Sequence, residues 1–309
     1  MATHVTVLLP AYDEAENLVE VVPETVSVLE DMGAPYEVLV VDDGSTDGTR
    51  GVMAGLQSPH VRYLRLRRNA GKSAALSVGF ERAEGEVVVL MDADGQDDPH
   101  EIPQLLRALD DGLDLVTGSR AGHRHDRFIK RNTSKLYNWA TAKVSGVDGR
   151  DFNSGLKAMR SDVVGTLDLY GELHRYIPVL AAWSGFRVGE IPVEHHSRRH
   201  GTSKFGSSRF WRGFLDLITV KFLNTYNARP FHFFGGAGAG MGVVGLGLLA
   251  WMLVDKILGH AIGRRPALLT GILLVIVAVQ FLSFGLLAEL MVHLGRRRTL
   301  GSAVEVDEP

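Results

Sequence analysis

The sequence predicts an α/β domain built on a mostly parallel sheet, followed by two helices long enough to cross a membrane. Three observations carry this. Strand-like apolar runs and helix-spaced segments alternate four times before the acidic stretch at Asp92. Three of those four runs end in polar or turn residues: Ala11-Tyr12-Asp13-Glu14, Asp42-Asp43-Gly44-Ser45 and Asp92-Ala93-Asp94. Hydrophobic residues then pile up after Phe231. In open parallel sheets ligands gather outside the carboxyl ends of the strands, so polar chemistry recurring at those ends outweighs any single motif.

The elements follow in order. Val5–Leu9 reads as a first strand, stopped by Pro10. Glu14–Met32 has helical spacing, with Leu18, Val21, Val22, Val26 and Leu29 on one side. Tyr36–Val41 is a second strand, Thr46–Leu56 a short helix, Val61–Leu66 a third strand and Gly71–Ala83 another helix. The run Val87-Val88-Val89-Leu90-Met91 is a fourth strand that stops abruptly at Asp92. Leu113–Thr117 is a fifth. Thr133–Val144 is helical, residues 149–155 are rich in turn formers, a helix lies near Tyr176–Trp183, and Arg187–Val193 reads as an edge strand. A polar loop of histidines, arginines and a lysine runs from His195 to Lys204.

Length allows one good-sized domain plus a smaller unit: the chain has 309 residues and a net charge of −3, which gives no sign of a nucleic-acid partner. The absence of cysteine excludes disulfides, thiolate metal sites and cysteine nucleophiles. Met1-Ala2-Thr3-His4 leads directly into a strand, so no signal peptide is expected.

The chemistry concentrates at Asp92 and Asp94. Two residues apart on extended chain, they lean the same way and repel unless a cation intervenes. Oxygen ligands at a strand mouth suit Mg²⁺ or Mn²⁺, which commonly bridge to phosphates. The plainer reading, a solvated turn capping the next helix, accounts well for Asp97, Asp98 and Pro99 but not for the two acids that end the strand. Gln96 is either a neutral third ligand or a turn hydrogen-bonder. The segment Gly71-Lys72-Ser73 invites a phosphate-loop reading, but the Walker spacing needs glycine where Leu66 stands. Lys72 is then a site cation or a solvated helix-start lysine. The spacing of His195, His196 and His200, like that of His123 and His125, fits no helix-borne zinc pair.

Phe231–Val254 and Ala267–Val292 are each apolar for long enough to cross about 30 Å of hydrocarbon at about 1.5 Å per residue. The glycines at 235, 236, 238, 240, 242, 245 and 247 suit close helix contact in lipid and would weaken a soluble helix. Ser208–Tyr226 mixes aromatic, aliphatic and basic residues as an interfacial amphipathic helix does, although a core-facing soluble helix has the same pattern. Arg296-Arg297-Arg298 favours a cytoplasmic location for both ends and for the first domain; Lys256, Arg264 and Arg265 oppose it.

Leu9–Asn17, Val41–Thr49 and Asp92-Ala93-Asp94-Gly95-Gln96 together resemble the family 2 glycosyltransferases of the GT-A (Rossmann-like) fold. Gly118-Ser119-Arg120, Arg150-Asp151, Gly201-Thr202-Ser203-Lys204 and the two terminal spans narrow the resemblance to polyprenyl-phosphate (dolichyl-phosphate mannose synthase-like) enzymes. Asp13 stands where that family usually has Asn, and Gly95 where the lipid-phosphate subgroup often has Leu.

The resemblance implies a catalytic domain over residues 1–205, an amphipathic segment over 206–228, the hairpin over 229–295 and a tail over 296–309. It implies that Pro10, Tyr12, Glu14 and Asp43 hold the donor nucleotide, with Lys72 close by and Asp92 nearer the nucleoside. Asp94 and Gln96, with Asp92, would bind Mg²⁺ or Mn²⁺. It makes Asp151 the catalytic base. A phosphate monoester, however, is largely dianionic at neutral pH, its second pKa being about 6, so Asp151 either orients or deprotonates. Arg120 and Arg131 are candidates for the acceptor phosphate, with Arg199, Ser203 and Lys204 closing over it. The implied donor is GDP-mannose or UDP-glucose and the implied acceptor a polyprenyl phosphate, with inversion at the anomeric carbon at the cytoplasmic membrane face. Self-association of the chain is compatible with this. Two rivals remain. A processive polysaccharide synthase carries a Gln-x-x-Arg-Trp segment, which Arg209-Phe210-Trp211-Arg212 is not. A non-catalytic sugar-nucleotide sensor would bind donor without turnover.

Overall fold

A computed structural model describes residues 4–56, 58–119, 154–196, 230–259 and 266–300. It forms two compact units, Met1–Ile218 and Thr219–Pro309.

The first unit runs β1 (Val5–Ala11), α1 (Ala15–Met32), β2 (Tyr36–Asp42), α2 (Thr49–Gly55), β3 (Val61–Arg65), α3 (Lys72–Arg82) and β4 (Val87–Leu90). After a 3₁₀ turn at Pro99–Glu101 come α4 (Ile102–Asp110) and β5 (Leu115–Ser119), then β6 (Lys157–Arg160) and α5 (Ser161–Val164). A second 3₁₀ turn, Leu173–Tyr176, leads into α6 (Ile177–Trp183) and β7 (Val188–Pro192). The seven strands lie in the order β3-β2-β1-β4-β6-β5-β7. All neighbours are parallel except β6, which runs antiparallel to both β4 and β5.

The strands form where β-branched residues must be covered on two faces: every residue of β2 and β4 is buried. Val5, Val7 and Leu9 on one face of β1 join Leu18, Val21 and Leu29 of α1 and Ile102, Leu105 and Leu109 of α4 in a single core. Leu8, on the opposite face, meets α3 at Gly79, where a Cβ would sit 2.4 Å from Leu8 Cδ1. Helices therefore cover both faces, and the carboxyl edge of β1, β2 and β4 is left for chemistry.

Three details depart from the expectations. β1 does not stop at Pro10; it continues to Ala11 along β2. His4 O and Leu8 O accept from Val87 N and Met91 N, whereas Ala11 O accepts from Asp43 N. Even-numbered residues thus face β4, and the missing N–H of Pro10 ends only that ladder, which stops at the Leu8–Leu90 pair. Second, β4 ends at Leu90, so Asp92 and Asp94 sit on the turn beyond it rather than side by side on extended chain. Third, Lys157–Arg160, left without an element by sequence reasoning, is the central antiparallel β6. The helix read from Thr46 begins at Thr49. The expected helix over Thr133–Val144 and the amphipathic segment 206–228 lie outside the described residues.

The second unit contains α7 (Pro230–Ile257) and α8 (Pro266–Leu300), of which Pro230–Ile257 and Pro266–Val292 are apolar and long enough to span a membrane. Only 17% of the most apolar stretch of each is buried, unlike the core helix of a soluble protein, which is mostly buried. The two pack closely through small residues: a Cβ on Gly238 would lie 3.0 Å from Ala278 O, and one on Gly245 3.0 Å from Gly271 O. Glu289 does not stand idle in this surface, since its Oε2 accepts from Phe231 N at 3.3 Å.

Within the sheet, Glu37 is a buried carboxylate opposite Thr6 in register. Burial pushes its carboxyl up, but donors from Thr6 Oγ1 (2.6 Å), Glu84 N (2.7 Å) and Arg62 Nη1 (2.6 Å) outweigh that and hold it below the usual range. A folded-state pKa below the unfolded one gives stability that is present above the unfolded value and lost as pH falls through the folded one. Glu37→Gln should lower stability at neutral pH by about 1–3 kcal/mol. In denaturation midpoints measured from pH 7 down to 3, the gap between wild type and variant should narrow. A constant gap would contradict the assignment.

Candidate active site

The carboxyl ends of β1, β2 and β4 open onto one cavity of about 370 Å³. Pro10, Tyr12 and Glu14 line it from the end of β1, Asp43 from β2, and Lys72 from the start of α3. Asp92, Asp94 and Gln96 line it from the turn after β4. All the residues expected at the donor and metal positions thus share one space.

The β1 and β2 side of the cavity is shaped by carboxylates that hold backbone. Gly44 has φ +73°, and a Cβ there would meet Arg68 C at 2.5 Å, so only glycine lets the β2 turn press on the next loop. Asp43, just before it, accepts from Ala70 N (2.7 Å) and Gly71 N (2.9 Å) and so fixes the loop that delivers Lys72. Asp42 accepts from Ser45 N (2.7 Å) and from Tyr63 Oη (2.5 Å). Asp13 takes a positive φ of 53°, a conformation Asp and Asn tolerate better than most residues. Its Oδ1 accepts from Thr46 N (2.8 Å), clipping the β1 turn to the β2 turn.

Lys72 forms an ion pair with Asp92 Oδ1. Burial raises the Asp92 carboxyl, but the Lys72 charge and hydrogen bond, helped by Lys157, hold it below the ordinary range. It is therefore ionised and cation-compensated. Asp94 is buried, its Oδ1 accepting from Gln96 N at 3.2 Å across the turn that Gly95 closes with φ 70°. Asp92, Asp94 and Gln96 offer only oxygen ligands in one cavity, a donor set that fits Mg²⁺ or Mn²⁺. Two other groups of convergent ligand atoms, Glu24/Asp98/His100 and Asp98/Glu194/His196, centre on Asp98, which does not line the cavity. Asp98 also caps the 3₁₀ turn, accepting from His100 N as the plainer reading expected.

The far wall was not foreseen as a site. Ser154, Gly155 and Lys157 line it from the approach to β6, His174, Arg175 and Ile177 from the second 3₁₀ turn, and His195 from beyond β7. Gly155 packs so tightly that a Cβ would lie 2.8 Å from Asp92 Cγ and 2.5 Å from Asp97 Oδ2. His195 sits opposite Asp97 in an antiparallel bridge, its Nδ1 3.4 Å from Asp97 Oδ1, and His196 N donates to Gln96 O at 2.8 Å. The start of the His195–Lys204 loop is thereby stitched to the acidic turn. Burial drives the His174 pKa down to about 2, reinforced by Lys72 and Arg175, so its ring is neutral and lies 3.0 Å from Ser73 Oγ. A lysine set against the apolar residues Leu156, Ala158 and Met159 was the one sequence signal that could have marked this wall. Arg120, Arg131, Asp151, Arg199, Ser203 and Lys204 lie outside the described residues.

A family model, "Glycosyl transferase family 2", matches residues 6–164. The chain is 36% identical over 293 residues to a dodecaprenyl-phosphate galacturonate synthase of Rhizobium johnstonii, covering 93% of this chain and 87% of that one. It is 35% identical over 296 residues to an undecaprenyl-phosphate 4-deoxy-4-formamido-L-arabinose transferase of Pseudomonas fluorescens, covering 94% and 85%. Among solved structures, glucosyl-3-phosphoglycerate synthase of Mycobacterium tuberculosis, in complex with Mn²⁺, UDP-glucose and phosphoglyceric acid, shares the fold. Its TM-score is 0.56 at 19% identity, over 72% of this chain and 79% of that one. A mannosyl-3-phosphoglycerate synthase of Rubrobacter xylanophilus gives 0.56 at 17% identity over 71% and 74%. A family match over half the chain, joined to relatives alike along nearly all of it, places this protein in glycosyl transferase family 2.

Proposed function

We propose that the protein is an inverting glycosyltransferase that moves a hexose from a nucleotide diphosphate-sugar to a polyprenyl phosphate at the cytoplasmic face of the cell membrane. The observation that carries this is the single cavity in which the turns after β1 and β2, Lys72 and the acidic turn after β4 meet. The relatives named for polyprenyl-phosphate products support the acceptor, and the two apolar helices suit an enzyme whose acceptor cannot leave the bilayer. GDP-mannose and UDP-glucose are the donors that the family resemblance implies; the relatives' names add galacturonate and a formamido-arabinose as sugars handled on this scaffold.

In this reading an oxygen of the acceptor phosphate attacks the anomeric carbon from behind. The bond from that carbon to the donor's β-phosphate oxygen breaks, and its electron pair leaves with the nucleoside diphosphate. Pro10, Tyr12, Glu14 and Asp43 shape the nucleotide end. Lys72, already beside Asp92, supplies positive charge near the diphosphate. A Mg²⁺ or Mn²⁺ ion held by Asp94 and Gln96 with Asp92 would offset the charge on the departing diphosphate. The acceptor is a dianion and needs cations more than a base. Arg120, Arg131, Arg199 and Lys204, with Ser203, are assigned to hold it, and Asp151 to orient it or the sugar.

Asp94→Ala should lower transfer by about 100-fold or more while leaving the thermal melting profile intact. Substantial turnover by that variant would remove the metal assignment. If Asp151 orients, Asp151→Asn should retain a measurable rate that is flat with pH above the acceptor's second pKa, about 6; a wild-type rate that climbs steeply above that pH would instead make Asp151 the base. Deleting everything after Tyr226 should depress transfer to long polyprenyl phosphates more than donor hydrolysis, and an equal loss of both would tie the helices to folding rather than to the acceptor.

A further inference from the structure

The cavity is divided by charge. Its acids, Glu14, Asp43, Asp92, Asp94 and Asp97, come from the turns after β1, β2 and β4. The residues that line the cavity from the far wall, Ser154, Gly155, Lys157, His174, Arg175 and Ile177, include two cations and no acid. His174, in the same wall, is neutral. Buried positive charge is costly even beside a carboxylate, and a wall that reads only neutral hydroxyls has no need of it; here Glu172 pairs with Arg175, and the Lys157 charge acts on Asp92.

Arg175 is the informative member. Its side chain is 8% exposed. Glu172 Oε2 lies 2.7 Å from Arg175 Nη2 and fixes one edge of the guanidinium. Arg175 Nε, by contrast, is buried with no hydrogen-bond partner among the described residues. Buried donors left unmatched in this way call for a ligand. Lys157, also buried, donates to Ser154 O and adds its charge to the same wall.

The position of the wall selects which part of the substrate it meets. On the donor placement proposed above, with the nucleotide between the β1 and β2 turns and the diphosphate over Asp92, Asp94 and Lys72, the sugar would point toward Ser154–Lys157 and His174–Ile177. Gly155, which abuts the Asp92 side chain, makes that wall continuous with the acidic turn.

We propose that Arg175, backed by Lys157, binds a carboxylate carried by the donor's sugar, so that the preferred donor is a nucleotide diphosphate-hexuronate rather than the neutral hexose. This rests on the donor and acceptor reading above and names its substrate class. The guanidinium offers the planar donor edge that a carboxylate matches.

The test uses the full-length chain in lipid nanodiscs with a polyprenyl phosphate, and pairs of donors that differ only at the sugar's C6: UDP-glucuronate against UDP-glucose, and UDP-galacturonate against UDP-galactose. In at least one pair the wild type should favour the carboxylated donor in kcat/KM by roughly 10-fold or more. Arg175→Met should erase that preference, cutting kcat/KM for the carboxylated donor roughly 10- to 100-fold while moving the neutral one less than about 3-fold. Arg175→Lys should restore part of it. A wild type that favours the neutral member of both pairs would overturn the proposal. So would an Arg175→Met variant that weakens all donors equally while raising KM for polyprenyl phosphate, which would give Arg175 to the acceptor. Calorimetric binding of each donor pair to the wild type tests the proposal even where a variant fails to fold or transfer is absent: tighter binding of neither acid overturns it. Failure of every donor to give a lipid-linked product would overturn the function proposed above, a result distinct from transfer confined to neutral sugars.

Discussion

The Lys72–Asp92 ion pair expresses the constraint on which the site depends. A parallel sheet buried on both faces sends its polar chemistry to one edge, and here that edge collects carboxylates from three strand ends. Such a concentration of acid is stable only with compensating charge or with hydrogen bonds to backbone. Both devices are present. Asp42, Asp43 and Asp13 accept from backbone donors of their own or neighbouring turns, which makes them scaffolding for this edge. Asp92 is matched by an ammonium group. Asp43 links the two devices, because the loop it tethers is the one that carries Lys72 into the cavity.

This division explains how the enzyme can admit an anionic donor and an anionic acceptor to a site rich in acid. The acids that would repel phosphate are largely engaged by the protein itself, and the cations Lys72, Lys157 and Arg175 line the same cavity. The pairing of residues 195–196 with the acidic turn also brings the start of the His195–Lys204 loop to the edge of the donor cavity.

Much of this was legible in the sequence because it is local. β-branched runs such as Val38–Val41 and Val87–Val89 can be covered only inside a sheet, and turn residues after them mark where a parallel sheet keeps its ligands. The apolar stretches after Phe231 were equally plain, and the glycines at 238 and 245 are where the two helices touch. What escaped was non-local. Pro10 looked like a strand end, because sequence does not show that its missing N–H faces β4 where that ladder is finished anyway. β6 is four residues long and acquires its identity only by fitting antiparallel between β4 and β5. Asp92 and Asp94 were expected side by side on extended chain, whereas the segment beyond the end of β4 brings them to one cavity. Lys157, His174 and Arg175 come from segments with no motif, and only folding brings them opposite the acids.

The central claim is that a sugar leaves a nucleotide diphosphate and arrives, inverted, on a bilayer-bound phosphate. The most direct measurement is the anomeric configuration of the lipid product, read by NMR after incubating the full-length chain with an α-linked nucleotide sugar, a polyprenyl phosphate and Mg²⁺ or Mn²⁺. The account predicts a β-linked polyprenyl phosphosugar. An α-linked product, or sugar released only into water-soluble species, would contradict it.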